Sequence, residues 1–160
     1  SGTWTLALLR AMPDATAVIF DLPEAIAQAE RRLSGTEYAG RVTLAAGDFY
    51  RDEFPSGADF AWISAICHQH SRAKNRELFA KARRALVPGG AIAIRDVVME
   101  PSRTMPVQGA LFAINMLVNT EDGGTFTFEE YAEDLRAAGF ADPRLAVRHE
   151  AMNSIITARR

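Results

Sequence analysis

Short apolar runs rich in Val and Ile alternate along this chain with segments patterned at helical spacing. That alternation restricts the fold to a layered α/β domain built on a mostly parallel sheet. The spacing predicts strands at 16–21 (TAVIFD), 42–48 (VTLAAGD), 60–66 (FAWISAI), 90–98 (GAIAIRDVV), 144–150 (RLAVRHE) and 152–158 (MNSIITA). Helices are predicted at 3–11, 24–34, 72–87, 105–118 and 128–138. Pro88-Gly89-Gly90 and Ala138-Gly139-Phe140 stop the helices that precede them, being poor continuations of a helix. Only Ala151 separates the last two predicted strands, too little for a parallel crossover, so they are expected to be antiparallel neighbours.

No repeat, low-complexity stretch or linker interrupts the pattern, so one domain over 1–160 is expected. Ser1-Gly2-Thr3-Trp4 runs straight into Leu6, Ala7, Leu8, Leu9 and Met12 at helical spacing. The chain is therefore expected to start inside a loop that opens a helix, with further residues upstream.

The 160 residues are 48% hydrophobic and 24% charged, with a formal net charge of −2, as in an ordinary soluble domain. The 18 Lys and Arg are spread among 20 Asp and Glu without long runs, which gives no argument for nucleic acid or an anionic membrane as partner. A small, nearly neutral ligand fits better. A single cysteine, Cys67, cannot form an internal disulfide, and neither a membrane-spanning run nor a secretory leader is visible, so the cytoplasm is the expected compartment.

Chemistry-bearing residues fall at the predicted strand ends. In open α/β sheets ligands sit at the carboxyl ends of strands, where a glycine admits the ligand and an acidic residue accepts from ribose hydroxyls. Gly2 before the first helix and Asp21 at the end of the next strand satisfy this, and Asp21 equally suits a cap for the helix near Pro23. Asp48, in Gly47-Asp48-Phe49-Tyr50, follows the next strand, and a carboxylate there can accept from the adenine amine while an aromatic covers the ring. Gly-Asp is also a common turn pair. Two aspartates at successive strand ends together address the ribose and base of one nucleoside.

His68 and His70 follow the 60–66 strand in Ile66-Cys67-His68-Gln69-His70. A histidine at this edge has an ordinary pKa of about 6.5, suited to a general base, though core or surface histidines share the spacing. Asp96, late in the next strand, is placed to orient an imidazole. His-x-His without further ligands is weak support for metal, and none is expected.

Val18-Ile19-Phe20-Asp21-Leu22-Pro23, Gly47-Asp48-Phe49, Ile66-Cys67-His68, Ala85-Leu86-Val87-Pro88-Gly89-Gly90, Asp96 and Ala138-Gly139-Phe140 before two strands occur in one order over nearly the whole chain. In this the sequence resembles the caffeic acid and hydroxyindole type of small-molecule O-methyltransferase. The resemblance implies a Rossmann-like class I methyltransferase sheet with a C-terminal antiparallel hairpin, its first strand missing from this chain. It implies S-adenosylmethionine (SAM) as methyl donor, with S-adenosylhomocysteine as product. Gly2 would belong to the loop under the cofactor, Asp21 would hold the ribose, Asp48 and Phe49 the adenine, with Leu22 and Ser64 on the same side. His68 would be the general base that deprotonates a small-molecule hydroxyl, with Asp96 beside it.

The sequence departs from that family in three places. Only Ser1-Gly2 of its glycine-rich motif is present; His68-Gln69-His70 stands where plant members have His-Asp-Trp; and the position of those members' second glutamate falls near Gly124-Thr125-Phe126-Thr127, with no acid at that position. Asp96 would then be the only carboxylate partner. The family's N-terminal dimerisation domain lies outside this chain, and a homodimer is expected for the full-length protein. Met105, Phe112, Asn115, Met116 and Asn119 lie on or after the helix that would roof the acceptor pocket, although Phe112 and Met116 at i and i+4 equally fit a core or dimer contact. A binding module without turnover is the main rival reading, and an NAD-dependent oxidoreductase the second. The Gly47-Asp48-Phe49 motif, the terminal hairpin and the lack of a Tyr-x-x-x-Lys pair favour the methyl donor.

Overall fold

A computed structural model describes residues 2–160, so Ser1 of the glycine-loop remnant lies outside the described residues. The chain falls into two compact units, Ser1–Pro55 and Ser56–Arg160. No linker signal in the sequence marks the division, and each unit has its own paired strands and its own buried side chains.

The first unit comprises α1 (Thr3–Ala11), β1 (Ala17–Asp21), α2 (Pro23–Leu33), a 3-10 turn at Ala39–Arg41 and β2 (Val42–Ala46). The two strands pair in parallel from Ala17 opposite Val42 to Asp21 opposite Ala46. Pro23 opens α2, where its missing N–H leaves no helical bond unmade. Leu9 of α1 and Ala29 and Leu33 of α2 are buried. The Arg41 guanidinium donates to the carbonyls of Met12 at 2.6 Å, Ala15 at 2.8 Å and Leu9 at 3.3 Å. One side chain thereby satisfies acceptors that the end of α1 leaves open.

The second unit contains β3 (Ala58–Ser64), a 3-10 turn at Cys67–Gln69, α3 (Arg72–Ala85), β4 (Leu86–Asp96), β5 (Val98–Met99), α4 (Val107–Asn119), β6 (Phe126–Thr127), α5 (Phe128–Ala137), β7 (Ala141–Val147) and β8 (Ser154–Arg159). Its sheet runs β3-β4-β8-β7. β3 and β4 are parallel, whereas β8 is antiparallel to both of its neighbours. Phe79 of α3, Leu135 of α5, Ile92 and Ile94 of β4 and Ile156 of β8 are almost wholly buried. α3 and α5 are joined by Asp134, which accepts a forked pair of bonds from Arg72, both at 2.9 Å, and one from Arg76 at 2.5 Å.

Several boundaries differ from the sequence expectation. The helix predicted to reach residue 87 ends at Ala85, because Leu86 is already extended and pairs with Ala58. The sheet absorbs Pro88-Gly89-Gly90 within β4, with a register shift between Ala58 and Phe60 opposite. At its other end β4 stops at Asp96, whose carboxylate takes the Val97 N–H at 2.8 Å. Val98 and Met99 instead pair in parallel with Phe126 and Thr127, a strand too short to show any periodicity in the sequence. The last two strands are joined through residues 148–153 rather than by Ala151 alone, since even the tightest hairpin needs two loop residues. His149 N–H donates to Ser154 Oγ at 2.9 Å, and that hydroxyl returns a bond to the His149 carbonyl at 3.0 Å. Among the described residues no helix is long and apolar enough to cross a membrane.

Candidate active site

In the first unit the candidate cofactor residues gather at the carboxyl ends of two adjacent parallel strands. Asp21 closes β1 opposite Ala46, and Asp48 follows β2 two residues later. The turn between strand and Asp48 is held by Gly47, whose N–H donates to the Asp21 carbonyl at 2.9 Å. Asp21 Oδ1 accepts the N–H of Leu22, and α2 receives no side-chain cap. The capping role that the sequence left open for Asp21 is therefore not the one adopted. Asp48 accepts from Tyr50 N–H at 2.9 Å, while its own N–H donates to Asp52. Phe49 lies with its ring 4.7 Å from that of Tyr50. Gly2, with φ of +75°, caps α1. Leu22 is exposed beside Asp21.

In the second unit His68 and Asp96 come from the carboxyl ends of β3 and β4. The chain leaves β3 through Ala65, held in the left-handed region at φ of +57°, a conformation that non-glycine residues seldom adopt. It then enters the 3-10 turn Cys67–Gln69. His68 Nδ1 lies 2.8 Å from Asp96 Oδ1, with side-chain exposures of 7% and 1%. An ionised carboxylate only accepts, so Nδ1 is the donor in this pair, and in the neutral imidazole the lone pair is then on Nε2. Asp96 Oδ2 also accepts the backbone N–H of His68 at 3.3 Å. Burial, with the Asp96 and Asp134 charges adding to it, pushes the Cys67 thiol well above its ordinary pKa, which leaves it a poor nucleophile. His70 is buried as well, and its burial lowers its pKa. Ser64 accepts from Arg95 at 3.0 Å, so its hydroxyl is already engaged within the sheet.

The candidate acceptor residues divide on α4. Phe112 packs edge-on against the His68 ring, with 4.9 Å between centroids. Met116 is buried and belongs to the core side of the helix. Asn115 and Asn119 are exposed and bonded to one another, Asn119 Nδ2 reaching Asn115 Oδ1 at 3.1 Å. Met105 is exposed in the segment before Pro106. Sequence reasoning missed two supports of the His68 turn, the Asn75 amide, which donates to the Cys67 carbonyl at 3.0 Å, and Gly124, whose N–H reaches the His68 carbonyl at 2.9 Å. The adjacent glycines 123 and 124 were the only sign of the second. Among the described residues no cluster of three or more His, Cys, Asp or Glu side chains is arranged to hold a metal ion.

Residues 1–141 match the O-methyltransferase domain. The chain belongs to the O-methyltransferase family. A 3-hydroxy-5-methyl-1-naphthoate 3-O-methyltransferase of Streptomyces sahachiroi is 35% identical over 90% of this chain, which spans 41% of that protein. An O-methyltransferase family 2 protein of Planctomyces limnophilus, solved in complex with apigenin, is 30% identical with a TM-score of 0.89 over 99% of this chain and 48% of its own. Human N-acetylserotonin methyltransferase, solved in complex with SAM, is 27% identical with a TM-score of 0.88 over 99% of this chain and 44% of its own. The chain thus spans less than half the length of these O-methyltransferases.

Proposed function

We propose that this O-methyltransferase chain carries the cofactor and catalytic residues for methyl transfer from SAM to a hydroxyl oxygen of a small phenolic or enolic molecule, with S-adenosylhomocysteine as product. One observation carries the reading: a buried His68 whose Nδ1 is tied to Asp96, leaving Nε2 as its single basic position. A phenol of pKa about 10 is a weak nucleophile, and taking its proton as it attacks lowers the barrier. Asp96 fixes the tautomer and stabilises the imidazolium that results. SAM supplies, when bound, a methyl group already activated on a sulfonium.

The first unit fits that donor. Asp21 would accept from ribose hydroxyls and Asp48 from the adenine amine, with Phe49 against the base and Gly2 and Leu22 beside it. Holding the acceptor hydroxyl in line is the remaining task, and such alignment is worth several kcal/mol, roughly 7–11 at the upper end. Phe112, against His68, would form the apolar wall of that acceptor site, with Met105, Asn115 and Asn119 on the same helix or at its entry.

A homodimer and a cytoplasmic location are also proposed, the homodimer supported by the exposed apolar stripe Val107, Leu111, Ile114 and Val118 of α4. The test is calorimetry with SAM and with NAD, followed by transfer from methyl-labelled SAM to 2-naphthol, N-acetylserotonin and apigenin. Label on a phenolic oxygen supports the proposal. SAM binding without transfer to any phenol would favour a binding module, and NAD binding instead of SAM would favour an oxidoreductase.

A further inference from the structure

His68 is held by its backbone as well as by its ring. Its N–H is taken by Asp96 Oδ2 at 3.3 Å, and its carbonyl accepts the N–H of Gly124 at 2.9 Å. The loop that supplies Gly124 is fastened to α4 and to α3. Thr120 Oγ1 accepts the Gly123 N–H at 2.8 Å and donates to the Met116 carbonyl at 2.6 Å, tying the loop to the last turn of α4. Lys74, on the first turn of α3, reaches Glu121 and Asp122, each at 3.2 Å.

Directly after these ties Gly123 passes against the His68 turn. A Cβ on Gly123 would lie 2.5 Å from the His68 carbonyl oxygen and 3.2 Å from the Gln69 carbonyl carbon, and would collide with Thr120 Oγ1. The contact is backbone on backbone, so no side-chain rotation relieves it. Gly124 is different: a Cβ there would meet only Phe126 Cζ, at 4.0 Å.

We propose that Gly123 is a positioning residue for His68, its missing side chain letting the 120–124 loop press the base into register with Asp96. This rests on the reading of His68 as general base. A displacement of about 1 Å in such a group is enough to lower a rate by about 10²-fold.

The test is nitrogen–proton correlation NMR of the His68 ring in the intact protein, which needs no acceptor, with thermal melting as the check on folding. The unsubstituted protein should show one tautomer, protonated at Nδ1. Gly123→Ala should lose that single-tautomer signature, with SAM affinity by calorimetry retained within about twofold, while Gly124→Ala keeps the signature. A folded Gly123→Ala protein with unchanged His68 signals would overturn the proposal, as would equal disturbance by Gly124→Ala. If Gly123→Ala does not fold, Thr120→Val, which removes the acceptor for the Gly123 N–H, must disturb the same signals, and unchanged signals there overturn it too. Methyl transfer failing in the unsubstituted protein, with these ring signals behaving as expected, would refute the catalytic reading and leave the positioning intact.

Discussion

One carboxylate fixes both the place and the orientation of His68: Asp96 Oδ1 accepts from the ring at 2.8 Å and Asp96 Oδ2 from the backbone N–H at 3.3 Å. Asp96 is itself placed at the last position of β4, where the Val97 N–H also turns back onto it. Asp96→Asn keeps the shape but offers an amide that can present N–H to Nδ1, favouring the wrong tautomer. The methyl-transfer rate should fall by roughly 10²–10⁴, with SAM affinity unchanged by calorimetry. A rate within a factor of three of the parent would show that the carboxylate does not orient the base.

Asp21 and Asp48 stand at successive strand ends with their side chains partly exposed. Each is expected to accept from the nucleoside as a charged acceptor, a bond worth about 1.5–3 kcal/mol. Asp21→Ala and Asp48→Ala should therefore weaken SAM binding by about tenfold to a hundredfold, while circular dichroism stays that of the parent. Unchanged affinity in both would remove the nucleoside-site argument.

His70 predicts an acid sensitivity. Burial pushes its imidazole down, with the Asn75 amide and Asp122 opposing and Lys74 and His68 adding to the depression. As pH falls through about 6.5 the unfolded chain takes a proton that the folded chain resists, so stability is full above that value and lost below it. His70→Gln cannot titrate. In urea unfolding at pH 7.5 and 5.0 the variant should lose less stability between the two than the parent. Equal losses would show that His70 is not a source of the pH dependence.

Asp134 is 4% exposed at its side chain and receives Arg72 and Arg76, which are themselves partly open to solvent. Asp134→Asn should cost about 2–3 kcal/mol in urea unfolding, since it leaves charged donors facing a neutral acceptor between α3 and α5. A loss under 0.5 kcal/mol, by the same standard, would make the cluster a solvated surface pair.

The sequence made the chemistry legible where it was local. Asp21, Asp48 and Asp96 could be read at strand ends because short apolar runs rich in Val and Ile point to those ends, and His68 could be read beside Cys67. What stayed hidden depends on contacts far apart along the chain. Leu86 looks like the continuation of α3 until Ala58 pairs with it. β6 is only two residues long, and its partner β5 lies more than twenty positions earlier. The hold of Gly124 on the His68 carbonyl spans 56 positions. Choosing between the two histidines needed the resemblance, since residues two apart in an extended segment share a face; in the structure both are buried, and the Asp96 carboxylate lies on the His68 ring.

The central claim is that His68 takes the proton from the acceptor hydroxyl, and His68→Gln tests it most directly. Glutamine fills much of the same space and cannot accept a proton at neutral pH. In a single-turnover assay with methyl-labelled SAM and the panel phenol that the parent protein methylates, the transfer rate should drop by roughly 10²–10⁴, with calorimetric SAM affinity retained. A rate equal to the parent's across pH 6–9 would contradict the account, and transfer would then rest on alignment of an acceptor already ionised in solution.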